Sequence, residues 1–131
     1  MSTAIYVRSA RPGPMELARQ REQCEDYARE HGLIVTRVYA DTGHARDGLS
    51  ALLREAPEQN TTDLIVTHLY RLSREASTYF QTCDALSEAG ITLHSISEEA
   101  FMANPYLRNL ARVLADADQS AENYDDDKPT S

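Results

Sequence analysis

Four short runs of mainly apolar, β-branched residues, at 4–7, 33–40, 64–69 and 91–96, alternate with longer stretches in which apolar side chains return every three or four positions. The runs are nearly continuous in apolar character, as in strands covered on both faces, which predicts a mostly parallel sheet. In the first intervening stretch Leu17, Cys24, Tyr27 and Ala28 share a helical face amid Glu and Arg, and Gly32 stands where a left-handed cap closes a helix. In the second, Leu49, Leu52 and Leu53 mark a short helix that Asp47 caps and Pro57 stops. In the third, Ala76, Phe80, Cys83 and Leu86 line one face, with Ser73 as N-cap and Gly90 closing the element. The order is β-α-β-α-β-α-β. It predicts a three-layer α/β fold, with a largely parallel sheet of four strands or slightly more and helices on both faces.

A further helix is expected from Pro105, with Asn104 as N-cap and proline at the first helical position, where its missing N–H costs nothing. Leu107, Leu110, Ala111, Leu114 and Ala117 form its apolar stripe, which either covers the sheet or pairs with another subunit. Left uncovered, the stripe is an aggregation liability; paired, it makes a homodimer through Leu107, Leu110 and Leu114. From Ser120 onward the chain is polar and acidic and is expected to be disordered. The expected organisation is a body at 1–103, a helix at 104–119 and an acidic tail at 120–131.

Length and charge bound the function. At 131 residues, one domain with one core is the default. The net charge of −8 does not announce a nucleic-acid partner, but the segment 116–131 supplies −5 of it and leaves −3 for the rest. Since binding follows the local field, a local basic site survives this balance. Cys24 and Cys83 lack a C-x-x-C spacing and read as small buried side chains. With no signal-like start and no window of about 18 apolar residues, a cytoplasmic protein without a membrane partner is expected.

In a parallel α/β sheet the functional groups gather in loops at the carboxyl ends of the strands. Here these loops hold Arg8, Ser9, Ala10 and Arg11, then Asp41, Thr42, Gly43, His44 and Arg46, then Tyr70, Arg71, Ser73 and Arg74. Arg71 and Arg74, three apart at the opening of a helix, share a face beside N–H groups that favour anions. Guanidinium forks suit a phosphodiester, so arginine arriving from three strand ends points to phosphate. No glycine-rich nucleotide loop occurs. His31, His44, His68 and His94 have no metal-ligand spacing, with His68 and His94 expected inside strands. Ser9 and Ser73 have no legible His and acid partners.

Taken in order, Tyr6-Val7-Arg8-Ser9-Ala10, Leu17-Ala18-Arg19-Gln20, Asp41 with Arg46-Asp47-Gly48-Leu49, and Leu69-Tyr70-Arg71-Leu72-Ser73-Arg74 resemble the catalytic domain of the serine recombinases, the resolvase and invertase family. The resemblance implies a resolvase-like fold, a DNA partner, and a serine that attacks a phosphodiester with no metal or nucleotide cofactor. It places Arg8, Arg46, Arg71 and Arg74 at phosphate-binding positions, with Gln20 and Asp41 in support. It also puts Glu98 where the last sheet strand commonly ends in an acid. Two positions depart from the pattern: Ala10 stands at the nucleophile position, and Tyr70 where the family carries Asp.

Alanine has no nucleophilic oxygen, so the covalent step fails by elimination. A phenol is expected to replace a carboxylate neither as base nor as orienter of arginine. These departures lead to the expectation of a domain without strand cleavage that acts as a DNA-associated, protein-interaction or regulatory module. The alternative is an active recombinase using Ser9 as a displaced nucleophile, although a strand turns Ser9 to the face opposite Arg8. The acidic tail is a further candidate, as an intramolecular competitor for the arginines.

Overall fold

A computed structural model describes residues 1–98. In it β1 (Ser2–Ser9), β2 (Val35–Thr42), β3 (Thr61–Val66) and β4 (Thr92–Ser95) form one sheet in the order β2-β1-β3-β4, with every pair parallel. The helices α1 (Pro14–Glu30), α2 (Asp47–Gln59) and α3 (Ala76–Glu88) are the crossovers, and a 3-10 turn (Leu69–Arg71) follows β3. The three-layer α/β reading holds, with helices on both faces.

The two faces carry separate cores. On one, α1 lays Cys24, Tyr27 and Ala28 over Ile5, Val7 and Ile65. On the other, Leu49, Leu52 and Ala56 of α2 and Leu86 of α3 cover Ala4, Tyr6, Leu64 and Val66. Alternation along β1 therefore feeds both cores, and the central strands β1 and β3 match the unbroken apolar runs. Thr36, Arg37 and Ala40 are exposed on β2, an edge strand. Gly32 and Gly90 adopt positive φ, and the next residues close α1 and α3 through Leu33 N to Ala28 O and Ile91 N to Leu86 O.

Several local expectations are corrected. β3 ends at Val66, so His68 and Leu69 belong to the loop and the 3-10 turn; His94 does lie in β4. Pro57 lies inside α2, which ends only where Asn60 turns left-handed, because a proline in the last turn removes one bond without undoing the turns before it. Asp47 does not cap α2: it is the first helical residue, and the cap comes from the carboxylate of Asp41. Ser73 lies ahead of α3, accepting from Glu75 N, and Glu75 holds the N-cap position. Arg71 and Arg74 therefore precede the helix they were expected to open. Cys24 is buried, while Cys83 is half-buried against the larger core. Among the described residues no helix is long and apolar enough to cross a membrane. The expected helix at 104–119, its leucines and the acidic tail lie outside the described residues.

Candidate functional site

At the carboxyl end of the sheet the buried carboxylate of Asp41 joins three elements. Its Oδ1 accepts from Gly48 N at 2.8 Å and its Oδ2 from Leu49 N at 3.1 Å, which satisfies N–H groups of the first turn of α2 and places negative charge at the positive helix end. Oδ2 also accepts from Tyr6 Oη at 2.6 Å and lies 3.6 Å from Arg8 Nη2. Burial, then the bond to Asp41, pushes the Tyr6 phenol far above its ordinary range, so it stays a donor. This arrangement requires glycine at 48, since a Cβ there would lie 2.5 Å from the carbonyl oxygen of Ala40.

Arg8 is turned inward. Its Nε donates to Tyr6 Oη at 3.1 Å, its Nη1 to Gly43 O at 2.8 Å and its Nη2 to Ala45 O, leaving the side chain 14% exposed. Its backbone needs partners as well, because β1 leaves β3 after the pairing of Ile5 with Ile65. Gln20 supplies them as a second amide would: its Nε2 donates to Arg8 O at 2.8 Å and its Oε1 accepts from Arg8 N at 3.1 Å. Arg71 Nη1 donates to the same carbonyl at 3.1 Å.

The 3-10 turn brings in the remaining arginines. Glu98 Oε1 accepts from Leu69 N and its Oε2 from Ser95 Oγ, so this acid, three residues beyond the end of β4, anchors the start of the turn. Arg71 also donates from Nε to Thr67 Oγ1 at 3.3 Å and from Nη2 to Glu16 Oε1 at 3.4 Å. Arg46 reaches across from the start of α2 to Leu72 O at 3.0 Å and Thr82 Oγ1 at 3.4 Å. Tyr70, 41% exposed, stacks on the imidazole of His68, while the guanidinium carbons of Arg71 and Arg74 lie 5.0 and 5.5 Å from its ring centre. The Tyr70 ring thus offers these two guanidinium groups a π face in place of a carboxylate.

The structure brings Arg8, Arg46, Arg71, Arg74, Gln20, Asp41 and Tyr70 to one end of the sheet through these shared partners. Ser9 is set apart, buried with its hydroxyl donating to Arg11 O, while Ala10 is exposed in the following bend. Among the described residues no three His, Cys, Asp or Glu side chains are grouped to hold a metal ion. Glu16 escaped the sequence reading, although Pro14 at the first helical position puts it in the first turn, four residues before Gln20 on the same face.

The family model Resolvase, N terminal domain matches residues 3–124. The chain belongs to the resolvase family. Solved resolvase-type structures share its fold. The N-terminal catalytic domain of TP901-1 integrase is 20% identical, with a TM-score of 0.73 over 95% of this chain and 98% of that one. A resolvase family site-specific recombinase from Streptococcus pneumoniae is 15% identical, with a TM-score of 0.77 over 95% and 89% of the two chains. The C-terminal catalytic domain of ISC1926 TnpA, an IS607-like serine recombinase, is 22% identical, with a TM-score of 0.66 over 73% and 67%. No curated protein matches the chain.

Proposed function

We propose that this resolvase-family domain holds DNA phosphates through its arginines without cleaving the strand, and serves as a DNA-associated regulatory module. The observation that carries this reading is the division within the site: Arg8, Arg46 and Arg71 are positioned by named partners, while position 10 has no hydroxyl and the neighbouring Ser9 hydroxyl is turned onto Arg11 O. A guanidinium has five N–H donors, and among the described residues these hydrogen bonds occupy three on Arg8, three on Arg71 and two on Arg46, so donors remain for a phosphate.

In this reading Asp41 and Tyr6 fix Arg8 as the inner wall, Gln20 and Arg71 fix the end of β1, and Arg46, Arg71 and Arg74 meet the phosphates. Without a nucleophilic oxygen at position 10 the phosphodiester is bound and released intact. Dimerisation through Leu107, Leu110 and Leu114 belongs to the same proposal and gives the module two arginine sites. Sedimentation showing only monomer at high concentration would remove that part.

Fluorescence anisotropy of a labelled duplex across a salt series tests the proposal. The Arg71→Ala/Arg74→Ala variant is expected to bind more weakly and with a salt slope shallower by about two, one for each phosphate no longer held. Unchanged affinity and slope would overturn it. Incubation with nicked duplex followed by denaturing electrophoresis is expected to show no covalent adduct. An adduct that disappears in Ser9→Ala would establish the displaced-nucleophile reading instead.

A further inference from the structure

Arg71 makes its ion pair with a residue outside the family motifs. The Glu16 carboxylate, on the first turn of α1, takes four donors from three side chains. Arg19 Nε donates to Oε2 at 3.1 Å, and Oε1 accepts from Arg19 Nη2 at 2.8 Å, Gln20 Nε2 at 3.0 Å and Arg71 Nη2 at 3.4 Å. Two of these donors, Gln20 and Arg71, also hold the backbone of Arg8. The Glu16 side chain is 36% exposed and that of Arg71 only 14%, so the carboxylate lies on the outer side of the pair. A carboxylate and a phosphodiester each present two oxygens sharing one negative charge, and the same fork of donors accepts either.

We propose that Glu16 is a built-in counter-ion of the arginine site, which a DNA phosphate must displace in order to engage Arg71 Nη2, and which thereby selects polyanions over single phosphates. This rests on the proposed DNA-binding role and adds to it a gate. A free phosphate ion gains Arg71 and Arg19 only by ejecting a group of like charge and geometry, so the exchange brings it little. A duplex gains Arg46 and Arg74 at the same time, and the additional contacts offset the loss of the internal pair. The bonds from Arg19 and Gln20 hold the Glu16 carboxyl down at about 2, so mild acid does not open the gate. Only a competing anion does.

The decisive comparison is Glu16→Gln against Glu22→Gln, which removes the same charge from an exposed position of the same helix. Both full-length variants are checked for folding by thermal melting. Glu16→Gln is expected to bind a labelled duplex about five- to tenfold more tightly, the factor that removal of one like charge about 4 Å away supplies at a water-like dielectric, as befits a partly exposed pair. It is also expected to show phosphate inhibition of duplex binding at concentrations that leave the wild type unaffected, and Glu22→Gln is expected to match the wild type. Equal affinities of Glu16→Gln and wild type, with binding still lost in Arg71→Ala/Arg74→Ala, would overturn the gate and leave the DNA-binding role standing. Equal tightening by Glu22→Gln would reduce the effect to net charge and overturn the gate as well. Absence of duplex binding at low salt by both wild type and Glu16→Gln would overturn both proposals.

Discussion

At the floor of the arginine site, Asp41 and Tyr6 are buried, Gly48 is pressed against the Ala40 carbonyl, and the described fold leaves no buried side-chain nitrogen or oxygen without a partner. At the rim, Ala10, Tyr70 and Arg74 are exposed, and the contacts are a stacked ring and guanidinium groups instead of buried hydrogen bonds. Both departures from the family pattern fall on this rim. Burial explains why. A floor residue touches several elements at once, so replacing it unfolds part of the domain, whereas a rim residue can change its chemistry while the fold stays intact. The family fold therefore tolerates a change of chemistry at the rim.

The largest effect expected from this contrast is that of Asp41→Ala. The substitution leaves two N–H groups of α2 and the Tyr6 O–H without their acceptor and removes the carboxylate 3.6 Å from Arg8. Breaking a buried charged cluster in this way costs about 3–5 kcal/mol, and chemical denaturation monitored by circular dichroism should show it. A loss below about 1 kcal/mol, the worth of a single neutral hydrogen bond, would mean that the floor is not the structural centre described.

Gly48→Ala follows. The added Cβ meets backbone at 2.5 Å, and a backbone carbonyl cannot swing aside as a side-chain tip can. Overpacking of this kind costs about 1–3 kcal/mol, with the same denaturation assay as the check. Stability equal to the wild type would show that α2 slides freely along β2 and that the cap from Asp41 is not a fixed distance.

Tyr70→Ala is the corresponding probe of the rim. Its ring is exposed, so stability should stay within about 0.5 kcal/mol of the wild type. Duplex affinity should nevertheless fall by about two- to fivefold, the weight of exposed cation–π contacts to Arg71 and Arg74. A melting transition lowered as far as that of Gly48→Ala would erase the distinction between floor and rim, while unchanged affinity would leave the two arginines needing no ring to orient them.

The same distinction sets what was legible in the sequence. The order of elements along the chain and the two helical layers could be anticipated because apolar periodicity is a local property, and β1 and β3 are covered as their unbroken runs imply. Arg46, Arg71 and Arg74 lie in the loops that end the strands, as the sequence suggested, whereas Arg8 and Asp41, expected in such loops, belong to β1 and β2 because those strands run on to Ser9 and Thr42. Caps and pairings that cross between elements were not. Asp47 stands where a local cap is expected, yet Asp41 reaches the same N–H groups because the turn after β2 folds back over them. The inward turn of Arg8 depends on carbonyls 35 and 37 residues away. In the sequence Tyr70 draws attention through its hydroxyl, whereas in the fold it meets Arg71 and Arg74 through its ring, which acquires these partners only when the 3-10 turn forms.

The smallest expected effect concerns Glu16 and has a definite sign in pH. Its folded pKa of about 2 lies below the ordinary unfolded value of about 4.3, so its ionised form is the one that the fold favours. The stability this contributes is fully present above the unfolded value and is lost as pH falls from about 4.3 towards 2. The contribution is small, because the Glu16 and Arg19 side chains are 36% and 55% exposed and solvent screens the pair. Other carboxylates titrate in the same window, so the informative quantity is the difference in denaturation midpoint between wild type and Glu16→Gln, measured at pH 7, 4 and 2.5. That difference should favour the wild type at pH 7 and shrink on acidification, since glutamine has no proton to gain. A difference independent of pH would mean that Glu16 is not held as an anion by Arg19, Gln20 and Arg71. The rim would then be without the electrostatic coupling that the counter-ion proposal requires, even with the floor unchanged.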